Sequence, residues 1–140
     1  MRTILRLKNQ QHRKLPAEFR HEDLRYPEEL VATFLRQYTR PGDRVLDPFA
    51  GFGTTLIVAE AMERVPFGIE FDLPRARYVR SLLQHPANLI HGDSRNLLSY
   101  QLPPINFSIT IFALLTTVKR PAGERAWRTS DQLGAVAASR

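Results

Sequence analysis

The apolar pair Val45 and Leu46 runs into Asp47 and the glycine loop Gly51-Phe52-Gly53, after which Leu56, Val58, Ala59 and Met62 continue with helical spacing. A strand that turns through glycines into a helix is the opening unit of a parallel α/β sheet, because parallel neighbours need a crossover and a helix usually makes it. The pattern then recurs. Pro66 to Glu70 reads as a second strand, Pro74 to Leu83 as a helix with Ala76, Val79 and Leu83 inward, and Asn88 to Asp93 as a third strand. Ser94 to Tyr100 reads as one short helix and Ile105 to Thr110 as a fourth strand. Upstream, Pro27 with Glu28 and Glu29 opens an amphipathic helix that carries Leu30, Val31, Phe34, Leu35 and Tyr38 inward. The expected fold is α/β: a parallel sheet of about four strands with flanking helices and right-handed crossovers.

At 140 residues there is room for one domain. The chain has no cysteine, which removes disulfide and thiolate-metal chemistry, and its four histidines lack a paired spacing for zinc. No apolar run approaches the roughly 18 to 20 residues of a membrane span and no secretory leader pattern opens the chain. A cytoplasmic protein without a membrane partner is expected. The net charge of +6 is concentrated at the ends: residues 1–25 carry seven Lys/Arg against three acids, and residues 119–140 carry five against two. The centre is close to neutral. Such a body suits a domain that works at its centre and touches phosphates with its flanks; solvated basic tails are the plain alternative. The first two dozen residues are polar and weakly periodic, so residues 1–25 are expected to form an arm rather than a core element, with Arg2, Arg6, Lys8, Arg13 and Lys14 facing phosphates.

In open α/β sheets ligands bind beyond the carboxyl ends of the strands, and here three strands end in Asp47, Glu70 and Asp93. Any one of these acids alone reads as a turn, a helix cap or a solvated strand exit. Glycines let a backbone approach a ligand closely, and an acid some 20 residues on grips ribose hydroxyls in such folds, the place Glu70 takes here. A pyrophosphate would be repelled by Asp47, which ranks a nicotinamide dinucleotide low, and no GxxxxGK[ST] cradle exists for a nucleoside triphosphate. A cationic ligand is favoured. S-adenosylmethionine, with its sulfonium and ammonium, fits Asp47 at the first strand end, Glu70 on the ribose and Asp93 on the adenine amino group. Thr54 and Thr55 are read mainly as helix-capping hydroxyls, while Phe49 and Phe71 either wall the adenine or fill the sheet's end, core packing being expected for at least one.

Asp47, Pro48, Phe49, Ala50, Gly51, Phe52, Gly53, Thr54 and Thr55 resemble the first cofactor motif, DPFxGxGTT, of the DNA amino-methyltransferases, which methylate the exocyclic nitrogen of adenine or cytosine. Gly68-Ile69-Glu70 is similar to their second motif and His91-Gly92-Asp93 with Ser94 to their third. Arg25, Tyr26 and Pro27, followed by Glu28, Glu29 and Leu30, resemble the motif on the methionine side. The resemblance covers roughly residues 12–110 and implies a Rossmann-like methyltransferase fold, S-adenosylmethionine as cofactor, DNA as partner, a flipped target base and direct methyl transfer. The cofactor-binding residues it implies are Tyr26, Pro27, Asp47, Pro48, Phe49, Ala50, Gly51, Gly53, Thr54, Thr55, Glu70, Phe71, Asp93 and Ser94. An RNA methyltransferase of the same fold, or a non-catalytic nucleic-acid or partner-binding module, stays open beside it.

The family's fourth motif, a polar residue followed by Pro-Pro and an aromatic, belongs just after Thr110, where this chain reads Ile111, Phe112, Ala113, Leu114 and Leu115. No catalytic residue is therefore assigned. The expected division is a basic arm over 1–25, a partial S-adenosylmethionine-binding domain over 26–112 and a tail of uncertain order over 113–140, unrelated to the family or out of frame with it. A sheet that stops at strand four should expose an apolar edge, inviting self-association or a partner chain.

Overall fold

The computed structural model describes residues 11–112 and 135–139. Arg44–Asp47 (β1), Val65–Glu70 (β2), Leu89–His91 (β3) and Phe107–Phe112 (β4) pair in parallel, and Ala135–Ser139 (β5) adds antiparallel to β4, giving the order β3-β2-β1-β4-β5. Helix α1 (Glu28–Tyr38) precedes β1, α2 (Thr54–Ala61) joins β1 to β2 and α3 (Leu73–Arg80) joins β2 to β3. The two crossovers step in the same direction along the sheet, so right-handedness puts α2 and α3 on one face. The α/β class and the four parallel strands agree with the sequence. The open edge expected at β4 does not: Ser108 to Phe112 pair with Ser139 to Ala135, so that edge is occupied by the chain's own last strand. The short residues of Ala135–Ser139 carry no apolar alternation, which is why that strand left no trace in the periodicity.

The apolar spacing of α1 puts Val31, Ala32 and Leu35 against Val45 of β1 and Phe107, Ile109 and Ile111 of β4. Helix α2 is apolar nearly all round, as a helix buried among neighbours should be. Its Val58 and Ala59 belong to this first cluster, while its Leu56 belongs to a second with Ala50, Ala76, Val79, Leu83 and Leu89. Thus α2 is the middle element, packed by α1 on one side and α3 on the other.

Arg64, just beyond α2, gathers carbonyl groups near two helix ends. Its Nη1 donates to Met62 O (2.7 Å), its Nη2 to Thr39 O (3.0 Å) and Leu35 O (3.3 Å), and its Nε to Thr39 Oγ1 (2.9 Å). These are charge-assisted bonds at helix carboxyl ends, where a cation is favoured twice over. Arg64→Ala is expected to cost about 2 kcal/mol, a melting temperature lower by roughly 5 °C, with Arg64→Lys recovering part. A melt of Arg64→Ala that superimposes on the parent's would remove this role.

The chain before α1 differs from expectation in part. A 3-10 turn at Ala17–Glu22 buries Phe19, and Leu15 is buried beside it, both against Phe52 of the glycine loop. These two apolar residues help fold residues 11–23 onto the domain as a strap. Arg2, Arg6 and Lys8, and the tail over 113–134, lie outside the described residues.

Candidate cofactor site

Beyond the carboxyl ends of β1, β2 and β3 lies a cleft of about 520 Å³, lined by Pro48, Phe49 and Gly51 after β1, Ile69, Glu70, Phe71 and Arg75 at and after β2, and Asp93, Ser94 and Arg95 after β3. Volumes of this order take a small organic ligand. Glu70 stands at the junction of β2 and α3. Its Oε2 accepts the Gly51 amide (2.7 Å) and its Oε1 the Asp72 amide (2.8 Å), which orients the carboxylate. Burial pushes the Glu70 carboxyl up from its ordinary value, against those two amide bonds, which hold it down.

The two loop glycines do different work. At Gly51 (φ +54°) a Cβ would meet nothing within 4 Å, so the backbone there faces open space. At Gly53 (φ +75°) a Cβ would fall 2.4 Å from Val79 Cγ1, so this glycine is required by the packing of α3 and caps α2 in the left-handed conformation. Because the cap is Gly53 and no side chain bonds the first turn of α2, the capping assigned to Thr54 and Thr55 is incorrect. Both threonines are buried, and the Thr55 hydroxyl lies 2.7 Å from Tyr26 Oη.

Asp47 is only 1% exposed and sits beneath the loop rather than in the lining of the cleft. Its Oδ1 accepts the Phe49 amide (2.9 Å), its Oδ2 the Tyr26 hydroxyl (3.3 Å), and Thr55 also bonds it. Burial pushes this carboxyl up to about 6, the bonds from Thr55, Phe49 and Tyr26 opposing the rise and the Glu70 charge adding to it. The Tyr26 phenol is raised well above its ordinary value, by burial first and by the Asp47 charge second. Tyr26, at the entry to α1, is thereby tied to the end of β1. Pro27 is the residue before α1's first turn, and Ala50 is buried in the second core cluster.

Phe49 and Phe71 are 51% and 72% exposed, so neither fills the sheet's end, correcting the expectation that one would pack into the core. Both line the cleft. Asp93 caps the turn Ser94–Ser99 by accepting the Arg95 amide (2.9 Å) and forms an ion pair with Arg95 Nη2 (2.6 Å), which holds its carboxyl below the usual range. The Ser94 hydroxyl donates to Pro48 O, joining the ends of β1 and β3. Of the residues singled out from sequence, Pro48, Phe49, Gly51, Glu70, Phe71, Asp93 and Ser94 surround the cleft, while the half-buried Tyr26 and the buried Asp47 and Thr55 form a hydrogen-bonded group behind it. Sequence reasoning missed Arg75 and Arg95, which follow the strand-end acids Glu70 and Asp93 in the chain, Arg75 from within the first turn of α3. Ile111 and Phe112 continue β4 where the fourth motif was sought; Ala113, Leu114 and Leu115 lie outside the described residues. Among the described residues no cluster of His, Cys, Asp and Glu could hold a metal, and no helix is long and apolar enough to cross a membrane.

The profile of the N6_N4_Mtase family, described as DNA methylase, matches residues 3–80. The Type II methyltransferase M.BglII from Bacillus subtilis is 43% identical over 47 residues, 34% of this chain and 13% of that protein. The Type II methyltransferase M.MthZI from Methanothermobacter thermautotrophicus is 44% identical over 57 residues, 37% of this chain and 16% of that one. The matched segments thus span less than a fifth of these relatives' length. Among solved structures, TrmN from Thermus thermophilus superimposes with a TM-score of 0.50 at 20% identity, over 71% of this chain and 43% of that one, a likeness of fold.

Proposed function

The chain belongs to the DNA methylase family, and from that premise we propose that its cleft binds S-adenosylmethionine as the cofactor half of an enzyme that methylates the exocyclic amino group of adenine or cytosine in DNA. The observation that carries this reading is the Glu70 carboxylate, fixed by the Gly51 and Asp72 amides at a cleft with two exposed phenylalanines. Each carboxylate oxygen spends one lone pair on an amide and keeps another, so Glu70 is set to accept from a ribose diol. The open space at Gly51 lets a ligand lie against bare backbone, and Phe49 and Phe71 supply flat apolar faces for an adenine ring.

When bound, S-adenosylmethionine supplies an electrophilic methyl on a sulfonium. What this chain's residues contribute is binding and orientation: Glu70 and Asp93 for hydroxyl and amino groups, the loop backbone for close approach, and the buried Asp47 as a fixed negative charge beneath the loop. We assign the whole of 26–112 to this cofactor-binding role.

Isothermal titration with S-adenosylmethionine, with NAD as the control, tests the reading. Glu70→Gln keeps the size but sets an NH2 against either the Gly51 or the Asp72 amide, losing one orienting bond along with an acceptor for the ligand, and is expected to weaken S-adenosylmethionine by at least about tenfold. Tight binding of NAD with no heat from S-adenosylmethionine would refute the proposal.

A further inference from the structure

We infer that Arg13 is a positioning residue for the cofactor loop: reaching from the strap, its guanidinium holds the Phe52 carbonyl and so sets the Gly51 amide that orients Glu70. The inference rests on reading the cleft as the S-adenosylmethionine site. Phe52 lies between two glycines with positive φ, Gly51 at 54° and Gly53 at 75°. Glycine gives such a loop its shape and no rigidity, so something outside the loop must hold it.

The strap does so at both ends of Phe52. Arg13 Nη2 donates to Phe52 O at 2.7 Å. The ring meets Phe19 edge-on with centroids 5.4 Å apart, and the Arg75 guanidinium lies 5.1 Å from the ring centroid. Arg13 is itself fixed: its guanidinium lies 5.5 Å from the Tyr78 ring, and its own carbonyl accepts from Arg25 Nη1 at 2.7 Å. Arg25 is in turn held by both oxygens of Asp23 at 2.8 Å. Gln11 Nε2 closes the strap by donating to the carbonyls of Arg25 (3.0 Å) and Tyr26 (2.8 Å), at the entry to α1.

This anchoring carries a cost that simple stapling of an arm would not need. Arg13 Nη1 is buried with no partner among the described residues, and burial lowers the guanidinium's pKa. An arginine free to contact phosphates would keep that nitrogen in water; here it is given up to reach one loop carbonyl. The consequence is a chain of contacts from the strap through Arg13, Phe52 and Gly51 to Glu70, which places the ribose acceptor.

The test uses the full chain, first without ligand. In Arg13→Met, which keeps an unbranched side chain and removes the donors, the Gly51 amide resonance is expected to move upfield and its hydrogen exchange to quicken about tenfold, while Gly68 and Ile69 amides in β2 are unchanged. S-adenosylmethionine affinity should fall about tenfold in step, and Arg13→Lys, whose ammonium can reach the same carbonyl, should recover part of both. An unchanged Gly51 amide in a folded Arg13→Met chain overturns the proposal, whatever happens to affinity. So does uniform loss of protection across the sheet in both variants, which marks a merely structural arginine. If the parent chain binds no S-adenosylmethionine, the cofactor reading fails and the Gly51 amide still decides whether Arg13 sets the loop.

Discussion

Asp47→Asn is expected to raise stability at pH 8 by up to ~3 kcal/mol and to weaken S-adenosylmethionine on the order of a hundredfold. The carboxyl is fully enclosed and pushed up to about 6, so ionising it costs the folded chain more than the unfolded one, although above that pH it is carried as a charge. In an unfolded chain it titrates near its ordinary value of about 4. Its favourable contribution is therefore complete below about pH 4 and is lost as the pH rises through 6. Asparagine imitates the protonated form: its carbonyl oxygen in the place of Oδ1 keeps the Phe49 amide, and its NH2 in the place of Oδ2 can donate to the Tyr26 hydroxyl oxygen, as a protonated carboxyl would. Melting curves of the two chains should coincide near pH 4, separate up to pH 6 and run parallel above it. A parent as stable as the variant at pH 8 would show that the charge is not penalised. Binding should move the other way, because a cationic ligand favours the ionised Asp47. The parent's affinity should climb between pH 5 and 7, and the variant's should stay flat.

The second large effect is expected at Gly53. Alanine there would set its Cβ 2.4 Å from Val79 Cγ1 and 3.1 Å from Cγ2, with φ at +75°. Val79 is fully buried and has no room to yield. The clash and the left-handed backbone together should cost ~3–4 kcal/mol, against ~1 kcal/mol for Gly51→Ala, where only the backbone objects. Thermal melts of both variants check this, and Gly53→Ala with Val79→Ala should recover the steric part. Equal losses at the two glycines would contradict the division of labour between them.

The parallel strands were legible because short apolar runs, turn residues and helical spacing agree from Pro27 to Thr110. Val31, Leu35, Ala76, Val79 and Leu83, expected inward, are buried. What escaped was tertiary. Leu15 and Phe19 sit among polar neighbours, and only their fit to Phe52 makes them core. Thr55 has the residue type of a cap, but Gly53 occupies that position, freeing its hydroxyl for Tyr26. Phe71 has a core composition and an exposed address, since the chain turns at the end of β2 before any partner can cover it. Around the cleft, the strand-end acids were visible one by one; that Glu70 is gripped by Gly51 while Asp47 lies beneath the loop depends on backbone path, which residue types do not encode.

Helix α2 has apolar residues in both principal clusters, with Val58 and Ala59 on the α1 side and Leu56 on the α3 side. A wedge shared by two walls cannot be withdrawn from one alone. Melting that begins at either side of the domain must loosen the other through these eight residues, so the described domain breaks down in a single concerted transition. The first turn of the same helix carries Thr55, behind the cleft, so the site's readiness for a ligand and the integrity of the whole domain rise and fall together.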